Sequence, residues 1–181
     1  MHTKEELYSN KIFFNAALPL VKVIANDVPS LKKQFAHVHA IIQVSAKDPD
    51  APGGKVGMHF VVNSDEWLVH LNKVDPNPHV ELEFKSVEAM NAFFKGKMSP
   101  ATLPKMKGVV THFGAFKAFL MTLLKMSSLL GATEAPKDEA TKELMVKCFF
   151  YLLSSGISQL NKMGHEDIHD WTSKSPDRVY A

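Results

Sequence analysis

Residues 37–47 read HVHAIIQVSAK, and this stretch sets the class of fold. Every even-numbered position from 38 to 46 is apolar, whereas the odd-numbered positions are polar except for Ile41. This period of two is that of a β-strand with one buried face. Turn-forming residues fill positions 48–54, and residues 56–62 alternate in the same way. The sequence therefore predicts a hairpin with one apolar and one polar face.

Three more strands are predicted further along the chain. Residues 67–72 and 79–85 alternate between apolar and polar side chains, and turn residues precede each of them. The first four strands are therefore predicted to form an antiparallel meander with a common apolar face. A fifth strand is predicted at residues 109–113, between the bends at Gly108 and Gly114.

Helical spacing of apolar residues accounts for most of the remaining chain. Pro19 is predicted to break the first helix, Asp27 and Ser86 to cap the second and third, and Gly96 to end the third. The predicted class is α/β (α+β), with a five-stranded, mostly antiparallel sheet, helices packed on one face, and extra N- and C-terminal helices. The predicted helices cover residues 4–26, 29–35, 87–95, 115–130 and 138–163.

Composition and charge narrow the classes of function. The 181 residues are 45% hydrophobic and 22% charged, as in an ordinary globular protein. The charged residues are scattered without a basic stripe, so we do not expect nucleic acid as a partner. The lone Cys148 lies in an apolar run and is predicted to be a buried, inert thiol in a reducing compartment. With neither a secretory pattern nor an uninterrupted apolar span, we expect a soluble, cytoplasmic protein.

The helices predicted at residues 115–130 and 138–163 have unusually wide apolar surfaces. The polar side chains of the first lie within an arc of roughly 140°, so more than half of its circumference is apolar. Two interpretations remain open: the helices pack on each other and on the sheet, or they enclose a shared apolar space. Twelve phenylalanines and nine methionines are compatible with both. The polar positions are Lys117, Thr122, Lys125 and Ser128 in the first helix and Lys147, Tyr151, Ser154 and Ser158 in the second.

Residues 80–114 contain a more specific pattern. A predicted strand and short helix lead to the turn GKMSP at residues 96–100, and Gly108 and Gly114 follow six positions apart before a long apolar helix. This order resembles the sterol carrier protein type-2-like family, the sterol-carrier-protein lipid-transfer domain, over residues 37–130. Residues 109–113 carry less charge than that family usually has there.

The resemblance implies a hydrophobic tunnel between sheet and helices that holds a fatty acid, phospholipid, isoprenoid or sterol-like lipid. It divides one compact domain into an N-terminal helical extension (residues 1–36), a sterol-carrier-like lipid-binding core (residues 37–131) and a C-terminal helix with a polar tail (residues 132–181). Neither catalysis, a cofactor nor a metal ion is expected. The predicted ligand contacts are Phe93, Phe94, Phe116, Phe119, Leu120, Leu123, Leu124 and Phe149.

Other interpretations of the polar residues and of the apolar helices stay open. His165 and His169 have the spacing of two zinc ligands on a helix, which would suit a metal-dependent hydrolase, but no third ligand is identifiable and a solvated tail explains them more simply. An accessory or scaffold protein would use the apolar helices to bind a protein partner or a second copy. Transient contact with a membrane surface and a homodimer are further expectations.

Five histidines are predicted on the polar face of the sheet, where exposure to solvent explains them as well as a metal or catalytic cluster does. They are His37, His39, His59, His70 and His79.

Overall fold

The computed structural model of the protein describes residues 14, 17–94, 97, 99–130 and 136–163. Within these ranges, a five-stranded mixed sheet packs against helices, which confirms the predicted α+β class. The strands are β1 (His39–Lys47), β2 (Lys55–Asn63), β3 (Glu66–His70), β4 (Val80–Phe84) and β5 (Lys105–Lys107). The helices are α1 (Leu20–Asp27), α2 (Pro29–Phe35), α3 (Val87–Phe94), α4 (Phe113–Leu130) and α5 (Glu139–Met163).

The order of the strands corrects the predicted meander. The sheet runs β3-β2-β1-β4-β5, and β4 pairs with β1 in parallel, from Ile42 opposite Val80 to Ala46 opposite Phe84. The other three pairings are antiparallel, so the prediction of a mostly antiparallel sheet is confirmed. The error concerned the connection after β3, which was interpreted as a tight turn.

Residues 71–79 instead cross one face of the sheet to reach the far side of β1. The side-chain oxygen of Gln43 accepts a hydrogen bond from the backbone N–H of Asp75 at 2.6 Å, and the Gln43 amide donates to the Asp75 carbonyl at 3.3 Å. A ring nitrogen of His59 lies 2.8 Å from the carbonyl oxygen of Lys73. These bonds satisfy backbone groups that a crossing segment would otherwise bury without partners. They hold the connection against β1 and β2.

The fifth strand also differs in position from the prediction. It spans Lys105–Lys107, whereas residues 109–112 form turns and α4 begins at Phe113. Gly108 has a φ of 76°, which turns the chain away from the sheet, and the N–H of His112 donates to the Gly108 carbonyl at 2.9 Å. Residues 105–107 pair with β4, and the ammonium of Lys107 lies 3.1 Å from both Glu81 and Glu83, whereas residues 109–113 contain no lysine.

The core lies between the apolar face of the sheet and the helices. Phe60 of β2 contacts Phe119 of α4, with ring centroids 6.1 Å apart, and Trp67 of β3 at 5.5 Å. Leu20 and Ile24 of α1 have no exposed surface, and α1 contacts both α4 and α5. Burying each such side chain contributes roughly 1.5–3 kcal/mol. A helix from the predicted N-terminal extension therefore packs against both apolar helices.

The helix ends follow the predictions in part. α1 begins directly after Pro19, where a break was predicted, and the Ser86 hydroxyl accepts a bond from the Ala89 N–H at 3.1 Å, which confirms the predicted cap of α3. The predicted cap at Asp27 is wrong, since Val28 occupies that position and Asp27 instead pairs with Lys147 of α5 at 2.8 Å. Residues 4–13, 15 and 16 of the first predicted helix and the stop at Gly96 lie outside the described residues.

Candidate functional site

α5 presents a row of apolar side chains to solvent. Val146, Phe149, Phe150 and Leu153 are 54%, 63%, 62% and 48% exposed, and their spacing of i, i+3, i+4 and i+7 places them on one side of the helix. We call these four residues the α5 stripe. Beside Val146 and Phe150, a surface depression of ≈ 490 Å³ extends toward Glu139. A row of this kind is unusual on a free helix surface, where large apolar patches mark binding sites.

The opposite side of α5 is apolar as well. Leu144 and Cys148 are buried, and Met145 and Leu152 pack against the core while partly buried. Cys148 is buried as predicted, and burial raises the pKa of its thiol, with the Asp27 carboxylate adding to the effect, so the thiol is protonated at neutral pH. α5 therefore has more apolar surface than its contacts within the described residues cover.

α4 repeats this arrangement with one correction. Phe116 and Phe119 face the core, whereas Met121 and Leu124 are exposed on the other side. Thr122, predicted on the polar face, is fully buried, and its hydroxyl donates to the Ala118 carbonyl at 2.8 Å. A threonine hydroxyl that donates to its own helix backbone does not need water as a partner. For this reason, the prediction of the solvent side from residue type was wrong at Thr122. The apolar circumference of α4 is thus wider than the sequence indicated.

The predicted ligand contacts fall into three environments. Phe93 and Phe94 are half-buried and surround Phe84 of β4, with ring centroids 5.3 and 5.6 Å from it. Phe116, Phe119 and Leu123 are buried in the core, and Leu120 is half-buried beside them. Leu124 and Phe149 are exposed to solvent. Their role as ligand contacts stays a prediction.

The second face of the sheet holds a group of buried polar residues that the sequence analysis placed in solvent. Glu81 is 3% exposed, and one of its oxygens accepts bonds from the Ser45 hydroxyl at 2.6 Å and the Gln43 amide at 2.9 Å. Its other oxygen lies 3.1 Å from the ammonium of Lys107. We call this group, completed by Glu83 and Lys55, the Glu81 cluster. The predicted solvated face is therefore wrong at its centre.

Lysines from two different strands bind the two carboxylates of β4. Lys107 of β5 lies 3.1 Å from Glu83 as well, and Lys55 of β2 binds both Glu81, at 3.3 Å, and Glu83. Because β1 lies between β2 and β4, Lys55 reaches across a whole strand. The available sequence signal was the spacing of two glutamates at i and i+2 in a strand. Neither lysine partner is close in sequence, since Lys55 and Lys107 are each 26 positions from Glu81.

The electrostatics of the cluster follow from its hydrogen bonds. Burial by itself raises the pKa of Glu81, but bonds from Ser45, Gln43 and Lys107 and the charge of Lys55 outweigh it and lower that pKa from 4.5 to about 2. For Glu83, too, burial is outweighed by both lysines, and its pKa is lowered. The pKa of Lys107 is raised, since the two carboxylates outweigh its own desolvation. All these groups are therefore charged at neutral pH.

This difference in pKa predicts a loss of stability in acid. Glu81 binds a proton near pH 4.5 in the unfolded chain but only near pH 2 in the folded one, so its contribution is complete above pH 4.5 and disappears as the pH falls toward 2. The shift corresponds to about 3 kcal/mol. Urea unfolding of the wild type between neutral pH and pH 2.5 should show this loss. A Glu81→Gln variant with the same acid sensitivity as the wild type would contradict the assignment.

The histidines predicted on the polar face do not share one environment. His59 is buried and stacks on His70, with ring centroids 4.6 Å apart, whereas His37 and His39 are exposed. His79 accepts a hydrogen bond from the backbone N–H of Ile41 at 2.9 Å. In the described parts of the chain, no three histidine, cysteine or carboxylate side chains converge on a metal position. The candidate zinc ligands His165 and His169 lie outside the described residues.

Comparison with known proteins gives structural neighbours but no family assignment. No family model matches the chain, and no curated protein does. A crystal structure of sterol carrier protein 2 is 11% identical, covers 72% of this chain and 97% of its own, and has a TM-score of 0.43. Sterol carrier protein 2 from Yarrowia lipolytica, in its apo form, is 18% identical, with coverages of 57% and 88% and a TM-score of 0.36. A conserved hypothetical protein from Thermus thermophilus is 8% identical, with coverages of 80% and 89% and a TM-score of 0.37.

Two of these neighbours are sterol carrier proteins, the class that residues 80–114 resemble in sequence. These are likenesses to individual structures, and we base the functional proposal on the side chains of this chain. In the helices that the structure describes, no segment has the length and hydropathy needed to cross a membrane.

Proposed function

We propose that this chain binds an apolar small molecule, of the class of fatty acids, phospholipids, isoprenoids or sterol-like lipids, and carries or presents it without chemical change. The observation that carries the proposal is the surplus of apolar surface on α4 and α5. Both helices bury one apolar side and expose another, on which Met121, Leu124 and the α5 stripe lie. Because α4 is apolar on both sides, its inner side can contact an apolar ligand while its outer side stays free for the rest of the chain or for a partner.

The ligand is proposed to lie in a hydrophobic tunnel between the sheet and the helices, with Phe93, Phe94 and Leu120 at its edge. These three side chains are half-buried, so each has apolar surface on both the core side and the solvent side. Every methylene that leaves water contributes about 0.8 kcal/mol, so a long acyl chain or a ring system binds without a charged partner. Selectivity among similar lipids would then be modest, because one methylene changes binding by only about 1–3 kcal/mol.

The proposal includes no catalytic step. Glu81 and Glu83 are the described carboxylates with lowered pKa and substantial burial, and lysine and polar side chains occupy their oxygens. A general acid or base needs a pKa near the working pH and access to substrate. This cluster therefore suits a structural role.

The direct test is to identify what the protein retains from the cell. Organic extraction of the purified chain followed by mass spectrometry should yield a lipid, and a fluorescent fatty acid should be displaced by unlabelled lipids. Absence of a co-purified lipid together with absence of displaceable binding would refute the carrier function.

Leu120→Glu should abolish lipid uptake. A carboxylate at this half-buried position would have to be desolvated on contact with an acyl chain, which costs several kcal/mol. Displacement of the fluorescent fatty acid measures the effect, and circular dichroism checks the fold. The matched control is Leu68→Glu on β3, where the leucine is 63% exposed, and His165→Ala tests the zinc alternative. Equal uptake by Leu120→Glu and Leu68→Glu would contradict the proposed position of the ligand.

The α5 stripe favours one alternative, an accessory protein that binds a partner helix. Apolar side chains at i, i+3, i+4 and i+7 are the usual anchors when a helix lies in a protein groove. Light scattering on the purified chain separates the two functions. A lipid-free obligate complex that dissociates on Phe149→Ser would favour the accessory protein, whereas a lipid-bound monomer would favour the carrier.

A further inference from the structure

Net positive charge is concentrated in residues 89–133, because this segment lacks acidic residues. Residues 89–133 contain six lysines and no aspartate, glutamate or arginine, although the whole chain has a formal charge of only +2. The remaining residues therefore carry a net charge of −4. Lys105 and Lys117 of this segment are exposed, and no carboxylate of the described residues forms an ion pair with either of them.

The same segment exposes large apolar side chains. Val110 is 94% exposed, the highest value among the large apolar residues of the described ranges, and Phe113 is 59% exposed. Leu103 and Met106 are about half exposed. We call the exposed residues beside the last strand the β5 edge. It consists of Leu103, Lys105, Met106, Val110, Phe113 and Lys117.

The topology brings these residues to one border of the sheet. β5 pairs with β4 on one side, and no other strand of the described chain covers its other side. The three residues of β5 extend along this border for about 7 Å at the usual rise of a strand, and Leu103 lies two positions before them. The turn after Gly108 then places Val110 directly before α4, and Lys117 follows Phe113 by one helical turn. Apolar and basic side chains thus occur together at this border, with Lys105 and Met106 on opposite faces of the edge strand.

Protection of the sheet does not explain the whole arrangement. Lysines on an edge strand prevent pairing with other chains, which accounts for Lys105. Val110 and Phe113 lie in a turn and at a helix start, where they protect no strand and expose apolar surface to water. A nucleic acid would use the lysines but would gain little from these two side chains.

We propose that the β5 edge docks on the surface of an anionic lipid bilayer. The lysines would lie at the level of the phosphate headgroups, and Leu103, Val110 and Phe113 would enter the boundary between headgroups and acyl chains. Residues 89–133 contribute no negative charge to this contact, and Glu81 and Glu83 of the neighbouring β4 are paired with Lys55 and Lys107. Docking on a bilayer does not require the lipid tunnel proposed above, so each proposal can fail without the other.

Vesicle binding tests the docking surface. The full chain should co-sediment with phosphatidylcholine vesicles that contain phosphatidylglycerol and much less with pure phosphatidylcholine vesicles, and added salt should weaken the binding. Each lysine near an anionic surface contributes a factor of about five, so the double variant Lys105→Glu/Lys117→Glu should reduce partitioning by about tenfold or more. Leu103→Ser/Val110→Ser should reduce it several-fold without a change of charge.

Matched controls come from exposed residues elsewhere. Lys32→Glu/Lys33→Glu in α2 and Leu68→Ser in β3 change the same kinds of side chain and should affect binding far less. Equal binding to both kinds of vesicle, or equal losses in the control variants, would overturn the proposal. So would a dimer that the β5 edge variants dissociate. Tight binding of an oligonucleotide that only the lysine variants weaken would assign the surface to nucleic acid instead.

Displacement of the fluorescent fatty acid from the same variants separates the two proposals. The β5 edge variants should retain ligand uptake. If they lose vesicle binding but keep uptake, both proposals stand. If the wild type takes up ligand but does not bind anionic vesicles, only the docking surface is refuted. If it binds vesicles but takes up no ligand, only the carrier function is refuted.

Discussion

Glu81→Gln is expected to lower the free energy of unfolding by about 3 kcal/mol at neutral pH. The substitution keeps the shape of the side chain but removes a buried charge that Lys55 and Lys107 bind from opposite sides. Both lysines would then share Glu83, and removing one partner of a buried ion pair costs about 3–5 kcal/mol. The lowered pKa of Glu81, which has these same contacts among its causes, corresponds to about 3 kcal/mol. Urea unfolding followed by circular dichroism measures the change.

Glu66→Gln provides the control for this prediction. Glu66 begins β3, is exposed, and should change stability by no more than about 0.5 kcal/mol when neutralised. Equal urea midpoints for Glu81→Gln and Glu66→Gln would show that the Glu81 cluster contributes little. That result would also leave the crossing of residues 71–79 without its proposed anchor, because Gln43 binds both Glu81 and Asp75.

The strands were predictable because their signal is local. Alternation in residues 37–47 reports the two faces of β1 whatever lies beside it, and the structure confirms that strand. The partner of each strand is not local. The connection to β4 crosses the sheet where the side chain of Gln43 binds Asp75, and a period of two contains no information about that contact.

Polarity of residue type was a poor guide to solvent exposure at two places. Thr122 and Glu81 are both buried, and each is satisfied by hydrogen bonds. Thr122 bonds to a residue four positions away, but Glu81 depends on Lys55 and Lys107, each 26 positions distant. Residues so far apart meet only once the sheet has formed. A pattern analysis therefore assigns such a carboxylate to water.

The apolar surplus of α4 and α5 was predictable, since the circumference of a helix follows from its own sequence. The exposed α5 stripe bears out that inference. The element that packs on the inner side of these helices was not predictable, because that contact joins segments far apart in the sequence. α1 contacts both of them, although its sequence was interpreted as part of an extension.

Gly108→Ala is expected to destabilise the protein by about 3 kcal/mol or more. Its φ of 76° is unfavourable for any residue with a Cβ atom, which costs about 1–2 kcal/mol. A Cβ atom there would also lie 1.8 Å from the carbonyl oxygen of His79, so the backbone would have to move. Because Gly108 directly follows β5, this movement would pull Lys107 away from Glu81 and shift the start of α4.

Two other glycines separate the causes of this effect. Gly54 has a φ of 73° but no atom within 4 Å of an added Cβ, so Gly54→Ala should show the conformational cost alone, about 1–2 kcal/mol. Gly114 lies in α4 with open space around it, and Gly114→Ala should stabilise the protein by about 0.5–1 kcal/mol. Urea unfolding of the three variants gives the comparison. If Gly108→Ala costs no more than Gly54→Ala, the close approach to His79 is absent in solution, and the path from β5 into α4 must differ from the one described.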